Sequence, residues 1–417
     1  MNTPAPIEDR LSQAGLPRLG RSTWLEIDLS ALAANAAVLR SLTPRTTRLA
    51  VVVKADGYGH GMAAAAHAAL AGGAHMLAVA TLDEALSLRA LDFRARVIVL
   101  YPVPRDGLGD ALAADLDLVV ADQASLADML SVAEQSPRVH MAMDSGMSRG
   151  GLTPELVVDA ARRLVAAGLP GLTGTWSHLA SPELPDVCGR QVEQFRQTLA
   201  MLAAAGMDAG TRHLVASGGL LEGIASYDMT RIGLAFYGYV PRELSDAAKR
   251  AAASLRPALT LKARAVTVQT VAAGASVGYG GTWTAARESR IATFGMGYAD
   301  GWKRVYSGAL ASARGITVPL IGRVNSDAIA IDITDVHGFD ASDEVTLISP
   351  DGAGSTVEQL ADMRGSIVWE VLDDLMPRVA RVYVQDGTPF ALRQMDGRTV
   401  LARDARMTTR PEPSSPG

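Results

Sequence analysis

From about residue 25 to residue 250, short apolar runs alternate with Ala-rich amphipathic stretches. That is the rhythm of buried parallel strands joined by helices, because a strand covered on both faces carries no polar alternation. Strands are predicted at 49–53, 76–80, 97–100, 118–121, 139–143, 172–176, 213–216 and near 231–236, with helices between most of them, among them 154–167 and 191–205. Eight such units in about 225 residues match a (β/α)₈ barrel in size and rhythm, with a doubly wound sheet as the runner-up. Beyond residue 256 the texture changes: 260–271 alternates with period two, and 291–294, 318–321, 328–333 and 344–348 read as short strands punctuated by glycine. The expected fold class is therefore α/β plus β, an N-terminal (β/α)₈ TIM-like barrel followed by a C-terminal mainly-β domain. The expected limits are 23–252 for the barrel, whose first strand is free to join the β domain, and 253–402 for the β domain. A flexible arm is expected at 1–22 and a disordered tail at 403–417.

Composition narrows the class of chemistry. The 39 basic and 44 acidic residues give a net charge of −5 without long single-sign runs, which argues against a nucleic-acid or anionic-membrane surface and for small-molecule chemistry. Cys188 is the single cysteine, so an intrachain disulfide and a multi-cysteine metal site are excluded, no metal is expected, and a reducing, cytoplasmic setting fits. Acids and prolines interrupt the first twenty residues, unlike a secretory signal. The Ala-rich segment 61–80 is broken by His67, Gly72, Gly73 and His75, so it does not read as a membrane span.

The strongest local signal is V-V-V-K-A-D-G-Y-G-H-G from Val51 to Gly61, a lysine at the end of an apolar strand followed by a glycine-rich turn. Barrel active sites lie at the C-terminal ends of strands, and a lysine there is costly unless it is paired or used. On its own Lys54 would be an ordinary lysine snorkelling to the rim; covalent attachment to a carbonyl cofactor such as pyridoxal 5′-phosphate (PLP) gives it a use.

This segment closely resembles the PLP-lysine motif of the alanine racemase family. The likeness continues in family order through M-D-S-G-M-S-R-G-G (143–151), S-H-L-A-S (177–181), A-S-G-G (216–219), R-I-G-L-A-F-Y-G (231–238), V-G-Y-G-G-T-W (277–283), G-Y-A-D-G-W (297–302) and I-G-R-V-N-S-D (321–327). It implies a (β/α)₈ barrel joined to a β domain, a homodimer with shared active sites, and interconversion of L- and D-alanine that supplies D-alanine for peptidoglycan. By the same resemblance Lys54 carries the cofactor and serves as one acid/base, with Tyr279 as the other on the opposite face. Racemisation favours that pairing, because a single base returns a proton only to the face it took it from.

The resemblance further implies that Arg231 faces the pyridine nitrogen and, offering only donors, keeps it unprotonated. His178 supports that arginine. Ser217 and backbone N–H groups around Gly233 and Leu234 hold the phosphate, with Tyr58 closing over it and Trp369 standing where the family usually has a phosphate-holding tyrosine. Arg149 pairs with the substrate carboxylate or the cofactor's phenolate oxygen, joined by the backbone N–H of Ser326. Tyr298, Asp300, Arg304 and Arg323 correspond to residues lining an entry corridor. Three positions depart from the family pattern: Ala142 where many members have a carbamylated lysine beside the arginine, Trp369, and Ser326. Alternatives on the same fold are a racemase of serine, lysine or arginine, and a PLP-dependent barrel decarboxylase, against which Arg231 argues. A non-catalytic PLP carrier is disfavoured by the presence of both Lys54 and Tyr279.

Overall fold

The computed structural model describes residues 5–411. The chain divides into two compact units: one comprises 32–57, 65–256 and the chain from 408, the other the N-terminal segment through Ala31, 58–64 and 257–407.

The first unit is built on eight parallel strands in the order Thr211–His213, Gly174–Trp176, Arg138–Ala142, Asp117–Val120, Arg96–Val99, Met76–Val79, Arg48–Val52 and Met229–Ile232. The two ends of that order meet through a parallel bridge between Ala216 and Arg231 and through bonds from Asp228 N to Arg212 O and Arg231 N to Val215 O, both 3.0 Å, which closes the barrel. Most of the strands are buried along most of their length, which is why they read as short, largely apolar runs. Helices join them; Pro154–Ala166 starts on Thr153, whose hydroxyl accepts from Leu156 N, and buries Val157, Ala161 and Leu164 on one face. The eighth strand stops at Ile232, and Leu234–Tyr237 curls into a 3₁₀ turn where extended chain was expected, because Gly233 (φ −106°, ψ −105°) leaves the extended region.

The second unit is one ten-stranded, mostly antiparallel sheet around the long strand Leu259–Val271. Thr23–Asp28 lies here, antiparallel to Leu259–Val271 (Leu25 opposite Leu261) and parallel to Ala380–Gln385 (Glu26 opposite Val382). The first strand of the sequence thus belongs to the β unit.

Both expected floppy ends are corrected where they are described. Residues 7–13 form a helix whose Ile7 and Leu11, four apart, bury themselves with Leu16 against Trp24, Val382 and Leu392. The helix is too short and too close to prolines for its periodicity to register in the sequence. At the other end, Thr409 O accepts from Arg94 N and Ala95 N at 2.9 and 3.1 Å, and Thr408 N donates to His67 Nδ1 at 2.7 Å, so this part of the tail is fastened to the barrel unit. The expectations for 1–4 and 412–417 lie outside the described residues.

Candidate active site

The barrel unit gathers seven of the predicted residues at the C-terminal ends of its strands. Lys54 follows the strand Arg48–Val52, whose direction Val53 extends by donating its N–H to Ala78 O at 2.9 Å. The chain then turns through three left-handed residues, Ala55, Asp56 and Gly57, with φ of 52°, 53° and 64°. Such a conformation costs roughly 1–2 kcal/mol per non-glycine residue, so something must hold it. Glu84 does: one carboxylate oxygen accepts from Ala55 N at 2.7 Å and the other from Ala80 N at 2.7 Å and Thr81 N at 3.3 Å. Sequence reasoning passed over Glu84, although T-L-D-E at 81–84 has the spacing of a capping box.

Arg231 is buried, and its guanidinium is largely committed. Nη1 donates to His213 Nδ1 (2.7 Å) and to His213 O (3.0 Å); Nη2 donates to Ser177 O (2.7 Å) and to His178 Nδ1 (3.3 Å). The guanidinium carbon lies 4.7 Å from the centre of the Trp176 ring, whose plane stacks on His213. Four of five N–H groups are thereby used, and among the described residues none accepts from the fifth, Nε–H. Burial lowers the Arg231 pKa to about 9. Burial, and then the charges of Arg231, Arg149 and Lys54, hold His178 near 3. The imidazole of His178 is therefore neutral and accepts from the arginine, as a supporting residue must. Lys54, Arg149 and Arg231 thus all lie near enough for their charges to act on His178.

Ser217 opens the turn after His213, and its Oγ accepts from Gly233 N at 3.0 Å and Ala235 N at 3.4 Å. The structure thus brings the Ser217 hydroxyl together with the amides of Gly233 and Ala235, and Leu234 between them is buried. Arg149 is exposed, on a loop shaped by Asp144, whose Oδ1 accepts from Gly146, Met147 and Ser148 N at 2.9–3.0 Å. No ion pair of Arg149 is found among the described residues. Ala142 is buried at the end of its strand.

The β unit carries the other four. Tyr279 projects from a 3₁₀ turn between the paired segments Ser276–Val277 and Trp283–Thr284 and is 73% exposed. Arg323 packs beneath that turn: a Cβ on Gly280, which has φ +74°, would lie 3.2 Å from its guanidinium. Ser326 lends its carbonyl to Ala299 N at 3.0 Å, and Trp369 sits half-buried in the helix Val368–Asp373. Tyr58 is buried, with φ +49°, and its carbonyl oxygen lies 2.8 Å from His60 Nδ1. Of the corridor residues, Tyr298 is exposed but Asp300 is not. Its carboxylate is fully buried between Arg21 (2.6 Å) and Arg378 (3.0 Å) and accepts from Gly297 N, so it anchors the turn and lines no surface.

The donor set fits PLP: a lysine amine for the aldehyde, hydroxyl and amide donors for a phosphate, and a donor-only Nε–H for a neutral pyridine nitrogen. Residues 27–241 match the sequence family described as "Alanine racemase, N-terminal domain" and 258–383 match "Alanine racemase, C-terminal domain". The chain belongs to the alanine racemase family. The alanine racemase of Desulfosudis oleivorans is 35% identical over 390 residues, 89% of this chain and 99% of the relative; that of Salinispora tropica is 38% identical over 372 residues, 86% and 97%. Among solved structures, the alanine racemase from Bacillus anthracis with bound L-Ala-P superposes with a TM-score of 0.83 at 29% identity, over 90% of this chain and 98% of that one. The alanine racemase from D-cycloserine-producing Streptomyces lavendulae gives 0.79 at 32%, over 88% and 98%.

Proposed function

We propose that this alanine racemase family member interconverts L- and D-alanine with PLP held at Lys54 and Arg231. The observation that carries the reading is the pairing of a strand-end lysine with a buried arginine that has one N–H left over. Bound there, PLP supplies an electron-withdrawing ring that acidifies the Cα–H of the amino acid joined to it.

The chain's own residues do the rest. The Lys54 amine removes or returns a proton at one face of Cα, and the Tyr279 hydroxyl does so at the other. Arg231 presents Nε–H to the pyridine nitrogen and, being a poor proton source, keeps that nitrogen neutral; this limits the electron sink and favours simple proton exchange over side reactions. Ser217 with the amides of Gly233, Leu234 and Ala235 takes the phosphate, while Tyr58 and Trp369 close over it. Arg149 pairs with the substrate carboxylate, assisted by the Ser326 N–H. Tyr279 works in a homodimer, the β unit of one copy serving the barrel of the other. A cytoplasmic enzyme supplying D-alanine for peptidoglycan is the expected role, and no helix among the described residues is long and apolar enough to cross a membrane.

The test is racemisation of alanine beside serine, lysine and arginine. Preference for alanine supports the reading; preference for a larger amino acid keeps the chemistry and replaces the substrate, and PLP binding without turnover of any of the four overturns the reading.

A further inference from the structure

The barrel interior holds a file of polar side chains behind Arg231 that the proposed reaction does not touch. His213 Nε2 lies 2.9 Å from His140 Nδ1, and His140 Nε2 lies 3.2 Å from Asp117 Oδ2. Arg138 Nε and Arg96 Nη2 each donate to Asp117 at 2.5 Å. His140, His213 and Asp117 are all buried. The file starts at the cofactor side of the barrel and ends at Arg96, Asp117 and Arg138, the first residues of their strands.

The direction of every proton in this file follows from its two ends. Arg231 can only donate, so His213 Nδ1 must be a lone pair and its proton must sit on Nε2. That Nε2–H donates to His140, whose Nδ1 must then also be a lone pair and whose proton sits on Nε2. Asp117, ionised between two arginines, accepts it. Burial opposes that ionisation, but the hydrogen bond from His140, with Arg96 and Arg138, prevails and holds the Asp117 pKa at about 2. Burial keeps both imidazoles neutral, lowering His213 well below its ordinary value and His140 less far. The space is reserved as well: a Cβ on Gly174 would come within 2.4 Å of His140 Nδ1.

We propose that Asp117 and His140 are positioning residues of the active site, fixing the tautomer of His213 and through it the orientation of Arg231. This rests on reading Arg231 as the partner of the pyridine nitrogen. Were the tautomers reversed, His213 Nδ1–H would point at Arg231 Nη1–H, donor against donor, and the guanidinium would have to turn its Nε–H away from the ring. Asp117→Asn loosens that order, because either orientation of the amide sets an N–H against an arginine donor. With its oxygen toward His140 and Arg96, which share one carboxylate oxygen in Asp117, its amide N–H meets Arg138 Nε–H. With its amide toward His140, each imidazole must switch in turn, back to Arg231.

The experiment is neutron crystallography of perdeuterated protein near pH 7.5, with and without PLP, for wild type and Asp117→Asn. Deuterium on Nε2 and none on Nδ1 of both His213 and His140 in the wild type is the expected result; Nδ1–D on either, or a doubly protonated ring, overturns the proposal without any variant. In Asp117→Asn, loss of the single tautomer, read as partial Nδ1–D on His213, is expected together with a kcat for alanine at least tenfold lower and a KM within about threefold. Unchanged tautomers with unchanged kcat overturn it. Wild-type tautomers as stated in a protein that racemises no amino acid leave the file intact and remove only the reading of Arg231 on which its role depends, so the two failures are distinguishable.

Discussion

Between pH 7 and pH 5 the fold keeps imidazoles neutral that the unfolded chain would protonate, His178 and His213 foremost. His178 is held near 3 by burial, Arg231, Arg149 and Lys54, and His213 well below the ordinary histidine value by burial, Arg231 and His140. Unfolded, both ionise near 6.5. Because the folded values are lowered, the unfolded chain binds protons that the native state refuses. Stability is therefore full above about pH 6.5 and falls as the pH drops below it. His178 contributes a slope approaching about 1.4 kcal/mol per pH unit, hence about 2 kcal/mol from pH 7 to 5, and His213 adds to it in the same direction. Local relaxation around the protonated rings makes that figure a ceiling, yet it is a large part of the 5–15 kcal/mol typical of a folded domain. Urea unfolding of the cofactor-free protein, followed by circular dichroism at pH 7, 6 and 5, measures it. His213→Gln and His178→Gln should each flatten the slope. A wild-type stability that stays level over this range, or variants with the wild-type slope, would refute the reasoning.

Glu84→Gln leaves one carbonyl oxygen where two carboxylate oxygens served three N–H groups, so unfolding free energy should fall by about 1–3 kcal/mol and the PLP affinity should weaken with it; denaturant midpoints and cofactor titration check both. Leu11→Ala should destabilise the β unit by about 2–4 kcal/mol, whereas an unpacked arm would give no change in Tm. Mixed Lys54→Ala and Tyr279→Phe chains, each inactive alone, should regain part of the wild-type rate through hybrid dimers once subunits exchange; no recovery with exchange confirmed by mass spectrometry would count against Tyr279 acting in trans.

The barrel was legible because most of its strands are buried on both faces and left a short, largely apolar run within a few residues of the observed place. Strands beyond Glu344–Ile348, such as Ala380–Gln385 and Thr388–Arg393, went unread because a short strand in a mixed sheet leaves little pattern. The helix at Ile7–Gln13 escaped because two buried side chains are too few to establish a period. Among the chemical groups, Lys54 stood out locally as a lysine at an apolar strand end, whereas Arg231, His178 and Ser217 were named through the family likeness. What stayed hidden was the support beneath them. Glu84, His213, His140 and Asp117 come from separate strands and helices, and their relation is a matter of three-dimensional proximity that spacing along a chain does not encode. Asp300 is the converse case: the likeness placed it beside an entrance, and the fold buries it between two arginines.

The most direct test of the whole account is D-alanine formation from L-alanine by the purified protein with PLP, run beside Lys54→Ala. Turnover by the wild type with a loss of at least a thousandfold in the variant is predicted, since Lys54 both holds the cofactor and moves a proton. Equal rates in the two proteins, or no D-alanine from a wild type that binds PLP, would contradict it.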